Sequence, residues 1–112
     1  MAWHQLKTVQ HDFSGGADND DLADDLPSTE PTSGHASCRF LVCNEDGIGD
    51  AYFLVAADLS AAGGLDRSAL KIPAGQTRYS PVYPWPMAAS SHYLRGEAGA
   101  DCYVTPEVNP NP

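Results

Sequence analysis

The chain has 112 residues, of which 42% are hydrophobic, and its formal net charge is −9. This length allows a single domain. The acidic balance argues against nucleic acid and anionic membranes as partners, because both attract basic proteins; it favours a basic protein surface.

The first third of the chain predicts a flexible acidic arm over residues 1–36. Seven of the fifteen acidic residues, but only one of the six basic residues, lie in residues 1–37. Leu22 and Leu26 are the only large apolar residues between positions 14 and 36. So few apolar side chains do not offset the entropy lost on ordering the segment.

Short β-rich segments alternate with turn signals from residue 37 onward, which is typical of a small antiparallel β-sandwich or barrel. We predict this domain over residues 37–106, and a proline-rich tail that leaves the sheet over residues 107–112. Residues 91–96 and 101–106 are expected to form a hairpin joined by residues 97–100. The predicted strands are 38–44, 51–58, 69–72, 76–82, 91–96 and 101–106.

Motifs for metal binding and catalysis are missing from the sequence. The acidic segment from Asp18 departs from an EF-hand loop, since Ala23 stands where glycine is needed. His35 and Cys38 have no second pair to complete a zinc site, and no Gly-x-Ser-x-Gly elbow occurs. We therefore expect no enzymatic activity, no cofactor and no metal. A hydrolase that uses Cys102 or Cys43 with His92 is an alternative.

Aromatic residues interleaved with prolines are the most specific local feature. Rings on a proline-stiffened segment lose little entropy on binding and anchor protein interfaces. The alternatives are rings that cap the open end of the sandwich and a stacking platform for sugars. The predicted partner-binding residues are Trp3, Tyr79, Tyr83 and Trp85 as anchors, with Asp20, Asp21, Asp24 and Asp25 facing basic patches.

The region from Cys38 to Pro106 resembles the head decoration, or cement, proteins of tailed bacteriophages. The resemblance lies in a first strand ending in Asn (RFLVCN), an apolar strand beginning Ala51-Tyr52, a lone strand running into a Pro-Ala-Gly turn (KIPAGQT), and the closing segment HYLRGEAGADCYVT.

This resemblance implies a virion structural protein, made in the host cytoplasm, that binds and stabilises the lattice of the major capsid protein. Many copies on a lattice, or a homo-oligomer, are expected. The alternatives are a head–tail connector, a tail or receptor-binding subunit, and a carbohydrate-binding module.

Overall fold

Two antiparallel sheets form the part of the chain that the computed structural model describes, residues 3–26, 36–55, 71–85 and 92–109. Sheet A contains β1 (His4–Gln5), β2 (Val9–Asp12), β4 (Ser37–Cys43), β7 (Thr77–Tyr79), β8 (Tyr83–Pro84) and β10 (Asp101–Asn109). Sheet B contains β3 (Asp18–Asp21), β5 (Ala51–Val55), β6 (Lys71–Ile72) and β9 (His92–Gly96). The predicted all-β fold class is confirmed.

The two sheets pack face to face around one core. In sheet A, β10 and β4 are central; β1 and β2 line the other side of β10, and β7 and β8 the other side of β4. Sheet B has the order β3-β9-β5-β6. Alternate residues of β4 are buried, because successive side chains of a strand point to opposite faces. Phe40 and Val42 of sheet A share the core with Phe53 and Leu94 of sheet B.

The extended acidic arm predicted for residues 1–36 is not what the structure shows between Trp3 and Leu26. β1 and β2 pair with β10, β3 pairs with β9, and a 3-10 helix follows at Leu22–Asp25. Phe13 and Leu22 are buried in the core. The prediction counted apolar side chains alone, whereas this segment also satisfies its backbone hydrogen bonds against both sheets. Residues 27–35 of the predicted arm lie outside the described residues.

The predicted hairpin of residues 91–96 and 101–106 is wrong. The turn exists, with Ala100 N–H donating to the Glu97 carbonyl at 3.0 Å and Gly99 at φ +90°, but it carries the chain from β9 in sheet B to β10 in sheet A. The backbone of the turn pairs with Phe13: Phe13 N–H donates to Ala100 O, and the Phe13 carbonyl accepts from Gly99 N–H.

The last strand runs to Asn109, so the predicted exit from the sheet after Pro106 is also wrong. Residues 103–109 of β10 all pair with β4. The Pro106 carbonyl accepts from Leu6 N–H, on the side away from β4. Because the N–H and C=O of one residue in an antiparallel strand face the same neighbour, the donor that Pro106 lacks would face the break between β1 and β2. No bond to β4 is lost.

Three further connections cross between the sheets at the same end as the 97–100 turn: those from β2 to β3, from β4 to β5 and from β6 to β7. Buried Asn44 makes hydrogen bonds at this end of the sandwich. Its Nδ2 donates to the carbonyls of Gly49 and Ile72 at 2.9 and 3.1 Å, and its Oδ1 accepts from Asp101 N–H. Its own backbone pairs with residues of the Pro73–Gln76 turn. Its side chain thereby links the connection between β4 and β5 to β6 and β10.

The other predicted strands are present: β4 is as long as predicted, β7 is shorter, and the structure describes β5 and β6 at Ala51–Val55 and Lys71–Ile72. Predicted strand residues 56–58, 69–70 and 91 lie outside the described residues, as do the tail residues 110–112. β7 lies on an edge of sheet A. In the described ranges, no helix is long and apolar enough to cross a bilayer.

Candidate functional site

The outer face of sheet A carries a cluster that we call the Arg39 cluster: Trp3, Gln5, Arg39, Tyr79 and Glu107. Strand register creates it. Gln5 lies opposite Glu107, and Glu107 lies opposite Arg39. Tyr79 lies opposite Leu41, two residues beyond Arg39 on the same face. Trp3 comes just before β1.

The Arg39 guanidinium is held by rings and by a carboxylate. Its Cζ lies 4.3 Å from the centre of the Trp3 ring and 4.4 Å from that of Tyr79. Its Nε donates to Glu107 Oε1 at 2.7 Å. Each cation–ring contact contributes about 0.5–2 kcal/mol, depending on how far water is excluded. The arrangement fixes two aromatic side chains and one cation in a single geometry.

Glu107 is only 2% exposed, and the cluster keeps its carboxylate charged. Besides Arg39, Gln5 Nε2 donates to Oε2 at 3.0 Å and the Tyr79 hydroxyl donates to the same oxygen at 3.3 Å. Burial acts to raise the pKa of Glu107, but the hydrogen bonds from Gln5, Arg39 and Tyr79 and the Arg39 charge outweigh it and lower the pKa. The buried charge is therefore fully partnered.

The same face presents apolar and acidic surface to solvent. Tyr79 is 49% exposed within the cluster, and Tyr103, further along β10, is 37% exposed. The negative charges of Asp101, Asp46 and Asp12 around Tyr103 contribute to raising its pKa, with Asp101 the largest influence. Large aromatic rings among carboxylates suit a partner that offers apolar contacts and basic side chains.

A second cluster, the His11 cluster (His11, Asp20 and Asp25), lies between the sheets. His11 is 8% exposed. Its Nδ1 is 2.7 Å from Asp20 Oδ2, and its Nε2 is 2.7 Å from Asp25 Oδ2. Burial acts to lower the pKa of His11, but the hydrogen bonds and charges of Asp25 and Asp20 outweigh it and raise the pKa. The cluster joins β2 of sheet A to β3 and the 3-10 helix.

The structure gives the four predicted partner-binding aspartates different surroundings. Asp20 and Asp25 bind His11, and Asp21 accepts from Ala23 N–H at the start of the 3-10 helix. Asp24 is exposed. Three of the four carboxylates thus have roles within the fold, and Asp24 is the one whose residue is exposed.

The four predicted aromatic anchors do not form one group. Trp3 and Tyr79 meet at Arg39, whereas Tyr83 and Trp85 pack against the core. The Tyr83 ring centre lies 6.4 Å from that of Phe40 and 4.4 Å from that of His92. Burial, with a smaller effect of Cys38, raises the pKa of Tyr83 to about 12. For Tyr83 and Trp85 the geometry favours the alternative in which the rings cap the sandwich.

The buried thiols are poor candidates for catalysis. Burial raises the pKa of Cys38 to about 12, and burial with the charge of Asp101 does the same for Cys102. Such thiols are protonated at neutral pH and therefore weakly nucleophilic. This counts against a hydrolase built on Cys102.

An open pocket of about 250 Å³ lies beside β3, lined by residues that include Asp12, Asp18 and Asp20. Within the described ranges, no group of three or more His, Cys, Asp or Glu side chains is arranged to hold a metal ion.

Sequence reasoning missed Gln5, Arg39 and Glu107 as site residues. The alternation of β4 places Arg39 on the outer face, which is a signal readable from the sequence. Its partner Glu107 could not be found in that way, because residue 107 was expected to lie beyond the last strand. His11 was missed because its partners are set by the packing of β2 against β3 and the 3-10 helix.

Comparisons of this chain with protein-family models, with curated proteins and with solved structures find no match.

Proposed function

We propose that this chain is a virion structural protein, a capsid decoration protein that binds and stabilises the lattice of the major capsid protein. The observation that carries the binding role is the Arg39 cluster, a preorganised group of Trp, Tyr and Arg on the outer face of sheet A. The sequence resemblance to phage cement proteins supports the choice of partner.

Preorganisation is the physical argument for binding. Trp, Tyr and Arg are enriched among the residues that dominate interface energies. An arginine side chain usually loses rotamer freedom when it is immobilised at an interface, at a cost of about 0.5–1.5 kcal/mol. Arg39 is already fixed by Glu107 and by two rings in the folded chain. Its rotamer entropy is therefore lost on folding and not on binding.

Repetition on a lattice strengthens a modest contact. The described sandwich has principal extents of 38 × 27 × 23 Å, so one copy covers a small area. If adjacent copies also touch each other, each further copy binds at a high effective concentration. The net charge of −9 favours a basic shell surface as the partner.

The carbohydrate-binding alternative loses support, because Tyr83 packs against Phe40 and His92. No observation on the described residues favours a connector, tail or receptor-binding subunit over the decoration protein.

The test is co-sedimentation of the purified protein with undecorated capsid shells of the phage that encodes it, followed by imaging of the shells. We expect saturable binding at lattice positions. Tyr79→Ala should weaken binding by about 2 kcal/mol or more, roughly thirtyfold. Tyr52→Ala, at a half-buried tyrosine in β5 of sheet B, is the matched control and should leave binding unchanged once folding is verified.

Absence of binding to intact shells would refute the decoration role. Binding that is equally insensitive to both variants would keep the role but remove the Arg39 cluster from the interface.

A further inference from the structure

The His11 cluster has a geometry that demands a particular charge state. Each ring nitrogen of His11 lies 2.7 Å from a carboxylate oxygen, of Asp20 on one side and of Asp25 on the other. A neutral imidazole has one N–H donor and one acceptor lone pair. Two ionised carboxylates can only accept, so both nitrogens must carry hydrogen. The ring is therefore an imidazolium.

Removal of one proton leaves a lone pair facing a carboxylate. The bond on that side is lost, and the charge of the ring no longer offsets either aspartate. Asp25 has a side chain only 5% exposed, so its carboxylate would remain buried beside a neutral ring. A buried charge that loses its partner is strongly destabilising.

We propose that the His11 imidazolium fastens β3 and the 3-10 helix to sheet A, and that loss of its proton releases these residues while the rest of the sandwich stays folded. The proposal concerns a conformational device within the fold and does not depend on what the protein binds. The segment that would open is Asp18–Asp25.

The position of this segment explains why release would be local. Among the described strands, β3 lies at an edge of sheet B, and its backbone pairs with β9 alone. The 3-10 helix contributes one fully buried side chain, Leu22. β4, β5, β9 and β10 keep their remaining pairings when β3 leaves, so the central strands stay together.

The charged and titratable groups around His11 come from four elements. Asp20 belongs to β3 and Asp25 to the 3-10 helix. Cys102 of β10 lies directly opposite His11 in the register, with its thiol neutral. Asp12 follows His11 in β2. No positive group among the four replaces the imidazolium when its proton is lost.

The direction of the pH dependence follows from the raised pKa of His11. Its ordinary value, which the unfolded chain has, is 6.5. Below 6.5 the ring is charged in both states and the cluster stabilises the closed segment fully. As pH rises from 6.5 to the higher pKa of the folded protein, this stabilisation is lost. The opening equilibrium constant rises in total by tenfold for each unit by which the folded pKa exceeds 6.5.

Two measurements on the wild-type protein test the proposal together. NMR of histidine-labelled protein gives the folded pKa of His11. Hydrogen exchange between pH 6 and pH 10, corrected for the intrinsic rate at each pH, gives protection factors for residues 18–25 and for β4 and β5. We expect protection of residues 18–25 to fall as pH rises from 6.5 and to level off at the measured pKa, with a total loss of tenfold for each unit by which that pKa exceeds 6.5, while β4 and β5 keep theirs.

His11→Gln should remove this pH dependence, because a glutamine amide does not titrate. Its single NH₂ group also lacks the two N–H donors that the imidazolium places on opposite sides, one for each aspartate. His4→Gln, at an exposed position in β1, is the control and should retain it. Constant protection across the pH range, or an equal loss over β4 and β5, would overturn the proposal. Because the first two measurements need no variant, the test stands even if His11→Gln fails to fold.

Discussion

Replacing Gly96 with alanine tests whether residues 3–26 belong to the sandwich. A methyl group at Gly96 would overlap the Phe13 ring at Cγ, Cδ2 and Cε2. The Gly96 backbone is not in the left-handed region, so the obstacle that the structure shows to alanine is the contact with the Phe13 ring. Overpacking a core costs about 1–3 kcal/mol, and displacement of a buried Phe ring costs about 3–5 kcal/mol. We expect Gly96→Ala to lower the free energy of unfolding by about 2–4 kcal/mol.

The double variant sharpens this prediction. Phe13→Ala alone should cost about 3–5 kcal/mol, since the ring is buried. With the ring gone, alanine at position 96 meets no overlap with it, and alanine is favoured over glycine within a strand by about 0.5–1 kcal/mol. Gly96→Ala should therefore change sign and become neutral or stabilising in the Phe13→Ala background.

Urea denaturation followed by far-UV circular dichroism and tryptophan fluorescence gives the four free energies. Gly15→Ala is the control, because nothing lies within 4 Å of its added methyl group; it should stay within about 0.5 kcal/mol of the wild type. Equal costs for Gly96→Ala in both backgrounds, or a Phe13→Ala cost below about 1 kcal/mol, would show that the N-terminal segment is not docked on β9.

Three further predictions concern other parts of the molecule. Asn44→Ala leaves two backbone carbonyls and one N–H without their partner, so it should cost about 2–4 kcal/mol in urea denaturation, and a cost below 1 kcal/mol would contradict its linking role. Glu107 has a lowered pKa, so its stabilisation is present above the unfolded value of 4.5 and is lost as pH falls through the folded value. Glu107→Gln should therefore reduce the loss of melting temperature as pH falls below 4.5, and an unchanged loss of melting temperature in the variant would refute this. A maleimide at neutral pH should label Cys43 first and reach Cys38 and Cys102 only on unfolding, because the last two are buried thiols with pKa values of about 12; equal labelling of all three in the folded protein would contradict the burial.

The β-character of the chain could be predicted from local patterns. β4 alternates buried and half-buried residues along its whole length, as the residue pattern of positions 38–44 indicates. The turns at Pro73–Gln76 and Glu97–Ala100 occur where Gly75 and Gly99 supply positive φ. These features depend on neighbours in sequence, which is why they can be read without a structure.

The site was predicted less completely. Trp3 and Tyr79 were predicted as partner-binding anchors and do meet on one face, but the cation between them was not predicted. Tyr83 was selected by the same reasoning and packs against the core. Residue type shows that a ring can anchor a contact, but burial by distant segments sets which rings remain exposed.

Local sequence located most of the strands described from residue 37 onward, because alternation and turn chemistry act over a few residues. The short strand β8, at Tyr83–Pro84, lies where no strand was predicted. It was insufficient for the pairing of those strands: the 97–100 turn joins two sheets instead of closing a hairpin, and residues 107–109 stay in β10 although Pro106 precedes them. It was least informative for residues 3–26, whose order depends on contacts such as Phe13 over Gly96 and His11 between two aspartates. Contacts between residues far apart along the chain carry little local signal, so only the assembled fold reveals them.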